Sequence, residues 1–331
     1  MKRYDMLTIK SKWVNEMSDG GYIGFYSGSS TGPITEEKVE SEIDSALENT
    51  KRLEFEAGVN ERLKEALSSY NEKDTELVNE RLNEIKELLS ENLETSINIR
   101  RAGSWKKHTY IDGLSDVDCL FILNSPEFSG ESPQQLLDEL KKLLQKKLGN
   151  KVIVERGNLS LKITYENGPD LQILPALRND KGLRIPSGDH DSWSRLINPE
   201  KFANLLTETN KRLNGNVIPV IKMVKGAVIG TGSNPDMKGY HVEALAVEIF
   251  QGYQGEQTKK AMLEYFFLRA SEMVRKPIKE LSGQSQYVDD YLGDSGSVER
   301  ENVSMELKRI SDGLAKADKN FSVDDWFNNI G

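Results

Sequence analysis

The sequence predicts an α+β fold, a mixed sheet flanked by helices and followed by a C-terminal helical lobe. Two observations carry that prediction. Short apolar strand patterns are gathered between Ser96 and Leu177, and helical periodicity fills the chain on both sides of them. At 331 residues the chain has the length of about two domains. The divisions read from it are an irregular segment over residues 1–34, a lobe of N-terminal helices and sheet over 35–185, and a helical lobe over 186–331.

The first segment contains SDGGYIGFYSGSSTG, in which Gly and Ser alternate with aromatics as in a loop or loose hairpin. Pro33 and Thr35 then mark a helix start, acids fill the first turn, and Val39, Ile43, Ala46 and Leu53 return at helical spacing. A second helix is predicted in DTELVNERLNEIKELLSENLE, with Leu77, Leu82, Ile85 and Leu88 on one face. From Ser96 the pattern turns to strands in SINIRRAGS and VDCLFIL. A helix in SPQQLLDELKKLLQKKLG follows, then strands in KVIVERG, LSLKITYE and DLQILPAL.

In LSLKITYE, Leu159, Leu161, Ile163 and Tyr165 alternate with Ser160, Lys162, Thr164 and Glu166, so the two sets point to opposite faces. NGPD reads as a turn that folds this strand against DLQILPAL as an antiparallel hairpin, with Asp170 at the entry of the second strand. IPSGDHDSW is a loop at the lobe boundary. Helices are predicted after it in PEKFANLLTETNKRL, VIPVIKMVKGAVIG, YHVEALAVEIFQGY, TKKAMLEYFFLRASEMV and VERENVSMELKRISDGLAKA. The runs KKLLQKK and Lys259–Lys260 read as solvated helix faces.

Composition removes several classes. No stretch approaches the ~18 apolar residues of a membrane span, and MKRYDMLTIKSKW lacks the apolar core of a secretory signal. A single cysteine, Cys119, precludes an internal disulfide and fits a reducing cytoplasm; within CLFIL it reads as a packing residue. Three histidines and one cysteine are too few for a zinc site, and His190 in GDHDSW reads as a loop residue. A net charge of −9 argues against a stable nucleic-acid partner, which would need a basic footprint. It leaves room for a pocket that takes small phosphorylated ligands on a few lysines.

Chemistry is called for by GSWKKHTYIDGLSDVDCLFIL, Gly103 to Leu123. Residues two apart on a strand share a face, so Asp116 and Asp118 stand together where an apolar strand begins. Carboxylates ~4–6 Å apart repel by a few kcal/mol at an effective dielectric near 20; one protonates, or a cation sits between them. Mg²⁺ is commonly held by one or two carboxylates together with substrate phosphates.

Asp170 adds a third acid if the hairpin returns to the same edge. Three acids suit two metal ions about 3.5–4 Å apart, one activating a hydroxyl and the other clamping a triphosphate. Asp116, Asp118 and Asp170 are therefore the candidate catalytic and metal residues, for Mg²⁺ or substituting Mn²⁺. Upstream, Gly103 permits close approach of backbone to a phosphate, the Ser104 hydroxyl and nearby amides can donate to it, and Lys106 and Lys107 follow.

Gly-Ser after a strand, D-x-D opening an apolar strand and a third Asp on a paired strand together resemble the DNA polymerase β-type nucleotidyltransferase superfamily. Within it the chain looks most like the bacterial cGAS/DncV-like nucleotidyltransferases (CD-NTases), from about residue 96 to the C-terminus. GSWKKHT resembles the family's G-S-aromatic-x-x-x-T segment, SDVD its metal-binding pair, and DDWFNNIG its Trp-containing terminal segment. VIKMVKG resembles the helix with a phosphate-binding lysine, which maps to Lys225 with Lys222 one turn earlier. GYHVEALAVEIF resembles the SYHLE helix, whose tyrosine, here Tyr240, stacks on a nucleobase. Gly239 replaces the usual serine, which puts that residue's triphosphate contact in doubt. Gly331 resembles the terminal residue that some of these enzymes conjugate, and reads here as a helix end.

The resemblance implies a polymerase β-like palm and a Mg²⁺-dependent transfer of a nucleoside monophosphate from one NTP to a ribose hydroxyl of another. A second transfer would close a cyclic di- or trinucleotide, a second messenger that activates a neighbouring effector in anti-phage defence. Two other readings stand beside it: a nucleotidyltransferase making linear oligonucleotides or modifying RNA or protein, and a catalytically silent nucleotide-binding regulator.

Overall fold

A computed structural model of the chain describes residues 36–70, 75–93, 97–111, 116–123, 128, 130–179, 182–187, 192–194, 196–229, 237–281 and 286–330. The readings made for residues 1–34, for His190 and for Gly331 lie outside them. The chain divides into two compact units, Met1–Thr50 and Lys51–Gly331. The described residues of the first belong to the N-terminal part of helix α1 (Glu36–Ser69), where Val39 and Ile43 are half-buried and Ala46 is exposed.

In the second unit, Phe55, Val59 and Leu63 recur every four residues of α1 and are buried. Leu53, expected in that stripe, is 71% exposed, because it lies off the line those three residues set. Helix α2 (Thr75–Leu93) buries Val78, Leu82, Ile85 and Leu89, with Leu77 and Leu88 half-buried at the flanks. Where leucines adjoin, as at Leu88 and Leu89, spacing alone does not tell which of them faces inward.

The sheet contains β1 (Ile97–Arg101), β2 (Val117–Leu123), β3 (Val152–Arg156), β4 (Leu161–Tyr165), β5 (Leu171–Asn179) and β6 (Gly182–Arg184). Its order is β1-β2-β5-β4-β3, with β6 added on β5. β2 and β5 are parallel and the other pairings are antiparallel, so the mixed sheet expected from the sequence is present. The hairpin predicted across NGPD is the β4–β5 pair, with Ile163 opposite Leu171.

Strand parity sorts the side chains into two layers. Val117, Cys119, Phe121 and Leu123 of β2 join Leu161, Ile163, Leu171 and Ile173 in one core with α2 and α4 (Pro133–Leu148). Cys119 is 1% exposed, in the packing role its apolar run predicts. Ser132 and Gln135 form a capping box that starts α4. On the opposite face Leu120, Ile122 and Ala176 pack with Leu183, Ile185 and Ile197. Asp118 has the parity of Leu120 and Ile122 and shares that second face.

Helices α5 (Pro199–Arg212), α6 (Val217–Ile229), α7 (Gly239–Gln251), α8 (Lys259–Met273), α9 (Val298–Lys319) and α10 (Val323–Asn328) build a further core together with Phe55, Val59 and Leu63. Trp326 of the terminal helix is fully buried in it and donates its indole N–H to Glu264 at 2.8 Å. Lys260 departs from its predicted solvated role. It is 4% exposed, because Glu56, Glu264 and Asp318 surround its ammonium in place of water.

Candidate active site

The acids are brought together by strand pairing. β2 and β5 run parallel with Val117 opposite Leu171, which makes Asp116 and Asp170, the residues just before them, neighbours. The Val117 amide donates to the Asp170 carbonyl at 2.9 Å. Asp118 lies one pleat further in, opposite Gln172, and β4 sets Lys162 opposite the same Gln172 from the other side. The Lys162 ammonium reaches the strand entries, 3.2 Å from Asp116 Oδ1 and 2.9 Å from Asp170 Oδ2. The Asp170 hydrogen bond holds that ammonium above its ordinary pKa.

Asp118 is more enclosed. Gly103 opens the short helix α3 (Gly103–Lys106) at φ +50°, and a β-carbon there would fall 1.8 Å from Asp118 Oδ2. The Ser104 amide donates to that oxygen at 3.4 Å. Burial pushes the Asp118 carboxyl up, against the Ser104 hydrogen bond and the Lys107 charge, while Asp116 adds to the rise. The sequence motif assigns Gly103 to a phosphate; in this structure the close approach it permits is that of a carboxylate.

The turn ahead of Asp170 is held from α2. Arg81 donates to the carbonyl of Pro169 at 3.3 Å and to that of Asn167, and its guanidinium lies 3.8 Å from the centre of the Tyr165 ring. Nothing in the sequence marks this arginine, which sits in a charge-rich helix.

A second cluster lies on α6 and α7. Lys225 is 2% exposed and its ammonium donates to Glu243 Oε1 at 2.8 Å, to the Thr109 carbonyl at 3.1 Å and to Thr109 Oγ1 at 3.2 Å. An ammonium has three N–H donors, so this set is full. Lys107 pairs with the other oxygen of Glu243 and lies over the rings of Tyr240 and Phe202, at 4.8 and 5.3 Å. Burial alone would raise the Glu243 carboxyl, but Lys107 and Lys225 bring it down to about 2. Burial lowers the Lys225 ammonium against the pull of Glu243.

Gly239 explains its own departure from serine. A β-carbon there would stand 3.3 Å from Lys225 Cε and 3.4 Å from its Nζ, so the missing side chain leaves the lysine its place. Tyr240 packs edge-on to Phe202 with ring centres 5.0 Å apart and donates its hydroxyl to Glu280 at 2.5 Å.

Both clusters open onto one cavity of about 910 Å³, near the upper end of the range for small-molecule sites, ~300–1,000 Å³. Its lining includes Gly103, Ser104, Lys107, Asp116, Asp118, Lys225, Tyr240 and Glu243. Asp170 is not in the lining and connects to it through Lys162 and Asp116. Lys222 is buried in α6 and also outside the lining, and burial lowers its ammonium.

Among the described residues no three acidic, histidine or cysteine side chains close on a common point as a ready-made metal cage would. The donors still fit a hard cation. Asp116 and Asp170 converge on one positive centre, here the Lys162 ammonium, and Asp118 carries a raised pKa beside them. Mg²⁺ typically takes one or two carboxylates and completes its shell with phosphate oxygens and water.

Residues 58–210 match the family model of the Second Messenger Oligonucleotide or Dinucleotide Synthetase domain. That segment holds Asp116, Asp118 and Asp170, and over it the chain resembles the CD-NTase nucleotidyltransferases. The chain is similar in fold to Escherichia coli MS115-1 CdnC with ATP, at 16% identity and a TM-score of 0.60 over 78% of this chain and 90% of that one. It is likewise similar to Bradyrhizobium diazoefficiens CdnG in complex with GTP, at 15% identity and TM-score 0.59 over 76% and 88%. The apo form of Vibrio cholerae DncV matches at 14% identity and TM-score 0.56 over 90% and 91%. No curated protein matches the sequence. The expected fold, a mixed sheet flanked by helices with a C-terminal helical part as in these nucleotidyltransferase structures, is thus the fold of this chain.

Proposed function

We propose that the chain joins NTPs into a cyclic di- or trinucleotide second messenger, using divalent cations held by Asp116, Asp118 and Asp170. The observation that carries this reading is the pairing of β2 with β5, which stations two acids at adjacent strand entries and a third one pleat inward, beside a cavity large enough for nucleotides. Two Mg²⁺ ions, or Mn²⁺, would supply the charge that acidifies an acceptor ribose hydroxyl and neutralises a triphosphate.

The chain's own residues have separable tasks. Asp116 and Asp118, both in the cavity lining, would hold the cations. Asp170 accepts the proton of the attacking hydroxyl or positions the group that does. Ser104, with Lys107 and Lys225 behind it, gives the donor triphosphate its hydrogen bonds and positive field, while Tyr240 offers a ring face to a base. Lys222, one turn before Lys225 on the same helix, adds positive charge behind the site. The phosphoryl bond forms to the acceptor oxygen, pyrophosphate leaves, and a second transfer closes the ring.

The product acts as a signal for an effector in anti-phage defence, in a soluble, cytoplasmic setting. Among the described residues no helix is long and apolar enough to cross a membrane. The lobes proposed for this chemistry are residues 35–185 for the palm and 186–331 for the helical part.

Incubation with four labelled NTPs and Mg²⁺ or Mn²⁺, followed by phosphatase, is the test. Cyclic product resists the phosphatase, linear product loses its terminal phosphate, and a silent regulator forms neither. Asp118→Asn should abolish product; a variant that turns over at the wild-type rate removes the metal assignment.

A further inference from the structure

Lys162 takes no part in the transfer chemistry of the acids, yet its ammonium stands between two of them. It lies on the polar side of β4, opposite Gln172, whose other neighbour in the sheet is Asp118. From there it extends to the strand entries and contacts Asp116 Oδ1 at 3.2 Å and Asp170 Oδ2 at 2.9 Å. Its side chain is 39% exposed, so water was available to it as a partner; it bridges the two carboxylates instead.

The physical cause is the acids themselves. Two neighbouring carboxylates at parallel strand entries repel unless a positive charge lies between them. A lysine on the adjoining strand is the charge this fold supplies. Its ammonium keeps oxygens about 3 Å away, whereas Mg²⁺ binds them at about 2.0–2.1 Å, so the ammonium and a metal ion cannot share these oxygens in the same arrangement.

We infer that Lys162 is a positioning residue that acts as a tethered cation: it keeps Asp116 and Asp170 turned toward each other when no divalent ion is bound, and it competes with that ion for their oxygens. The inference rests on the reading of Asp116 and Asp170 as metal ligands. Its consequence is that the nucleotide-free protein holds metal weakly, and that full loading waits for the extra oxygens a triphosphate brings. Two half-exposed ion pairs set the size of the effect at about a fivefold to tenfold change in apparent metal affinity.

The experiment measures Mn²⁺ binding to the full, nucleotide-free chain by the electron paramagnetic resonance of free Mn²⁺. The proteins are wild type, Lys162→Met, Lys162→Arg and the double variant Asp116→Asn/Asp170→Asn. Lys162→Met should bind Mn²⁺ about five- to tenfold more tightly than wild type, Lys162→Arg should stay within about twofold of it, and the double variant should lose binding. Without metal, Lys162→Met should also melt below wild type and recover when Mn²⁺ is added. Should it fail to fold, Lys162→Gln, which keeps a polar group on the strand face, carries the same expectation.

Binding that depends on the two aspartates but is unchanged or weaker in Lys162→Met overturns the tethered cation and leaves the metal site standing. Binding that survives the double aspartate substitution, or is missing from wild type and Lys162→Met alike, overturns the metal-ligand reading and this inference with it.

Discussion

Replacing Gly103 by alanine tests the closest contact in the site. The residue has φ +50°, where an L side chain costs about 1–2 kcal/mol. The added β-carbon would also lie 1.8 Å from Asp118 Oδ2, 2.5 Å from its Cγ and 2.7 Å from its Cβ, so the carboxylate has to leave its place. Gly149 separates the two effects. It has φ +64°, and a methyl group added there would meet nothing within 4 Å, so Gly149→Ala carries the backbone cost alone. Gly149→Ala should therefore lose about 1–3 kcal/mol in urea denaturation, and Gly103→Ala at least the roughly 1–2 kcal/mol of its own backbone cost. Only Gly103→Ala should lose product formation, by about 100-fold, the cost of moving a catalytic group by an ångström. The assay is the initial rate of cyclic nucleotide formation at saturating NTP and metal. A Gly103→Ala enzyme that turns over like Gly149→Ala would refute the view that this glycine seats Asp118.

Three further outcomes follow from the buried charges and the tyrosine. Glu243→Ala strands two lysines, one of them 2% exposed, and should destabilise the fold by about 3–5 kcal/mol; a loss under about 1 kcal/mol in chemical denaturation would contradict the network. The Glu243 carboxyl is depressed to about 2, so its contribution is complete above the unfolded value near 4.5 and disappears as pH falls toward 2. His241 behaves differently. Burial lowers it from 6.5 to about 4, so the unfolded chain takes the proton first, and stability should fall by about 3 kcal/mol as pH drops from 6.5 to 4. That slope should be missing in His241→Gln, and its persistence there would assign it to other groups. Tyr240→Phe gives up the hydroxyl bond to Glu280 but keeps the ring, and should leave the NTP KM near wild type. Tyr240→Ala should raise it by about five- to 100-fold, the worth of stacking one base; equal KM values for the two variants would remove the ring from base recognition.

Much of this site is legible in the chain because it depends on short-range rules. The D-x-D at the head of VDCLFIL places Asp116 and Asp118 on one face through the two-residue period of a strand. NGPD delivers Asp170 to the start of β5 through a local turn, and the Gly-Ser pair announces a tight approach whose partner proved to be Asp118. The miscast residues are instructive. Leu53 and Lys260 each fit a local pattern, and packing overrode it in both: α1 turned another line inward, and three carboxylates converged on Lys260.

The sequence by itself determined the longer elements, their order and the acids that begin two strands, since each of these follows from a few adjacent residues; the short β6, α3 and α10 were not marked in it. Only tertiary structure decided that β2 and β5 would lie side by side, that Lys162 would stand between Asp116 and Asp170, that Arg81 would hold the turn at Pro169, and that Glu243 would bind Lys225 and Lys107. Arg81 and Pro169 are 88 positions apart. Periodicity reports which way a side chain faces from its own element, and the charge it meets there depends on which other element the fold lays across it.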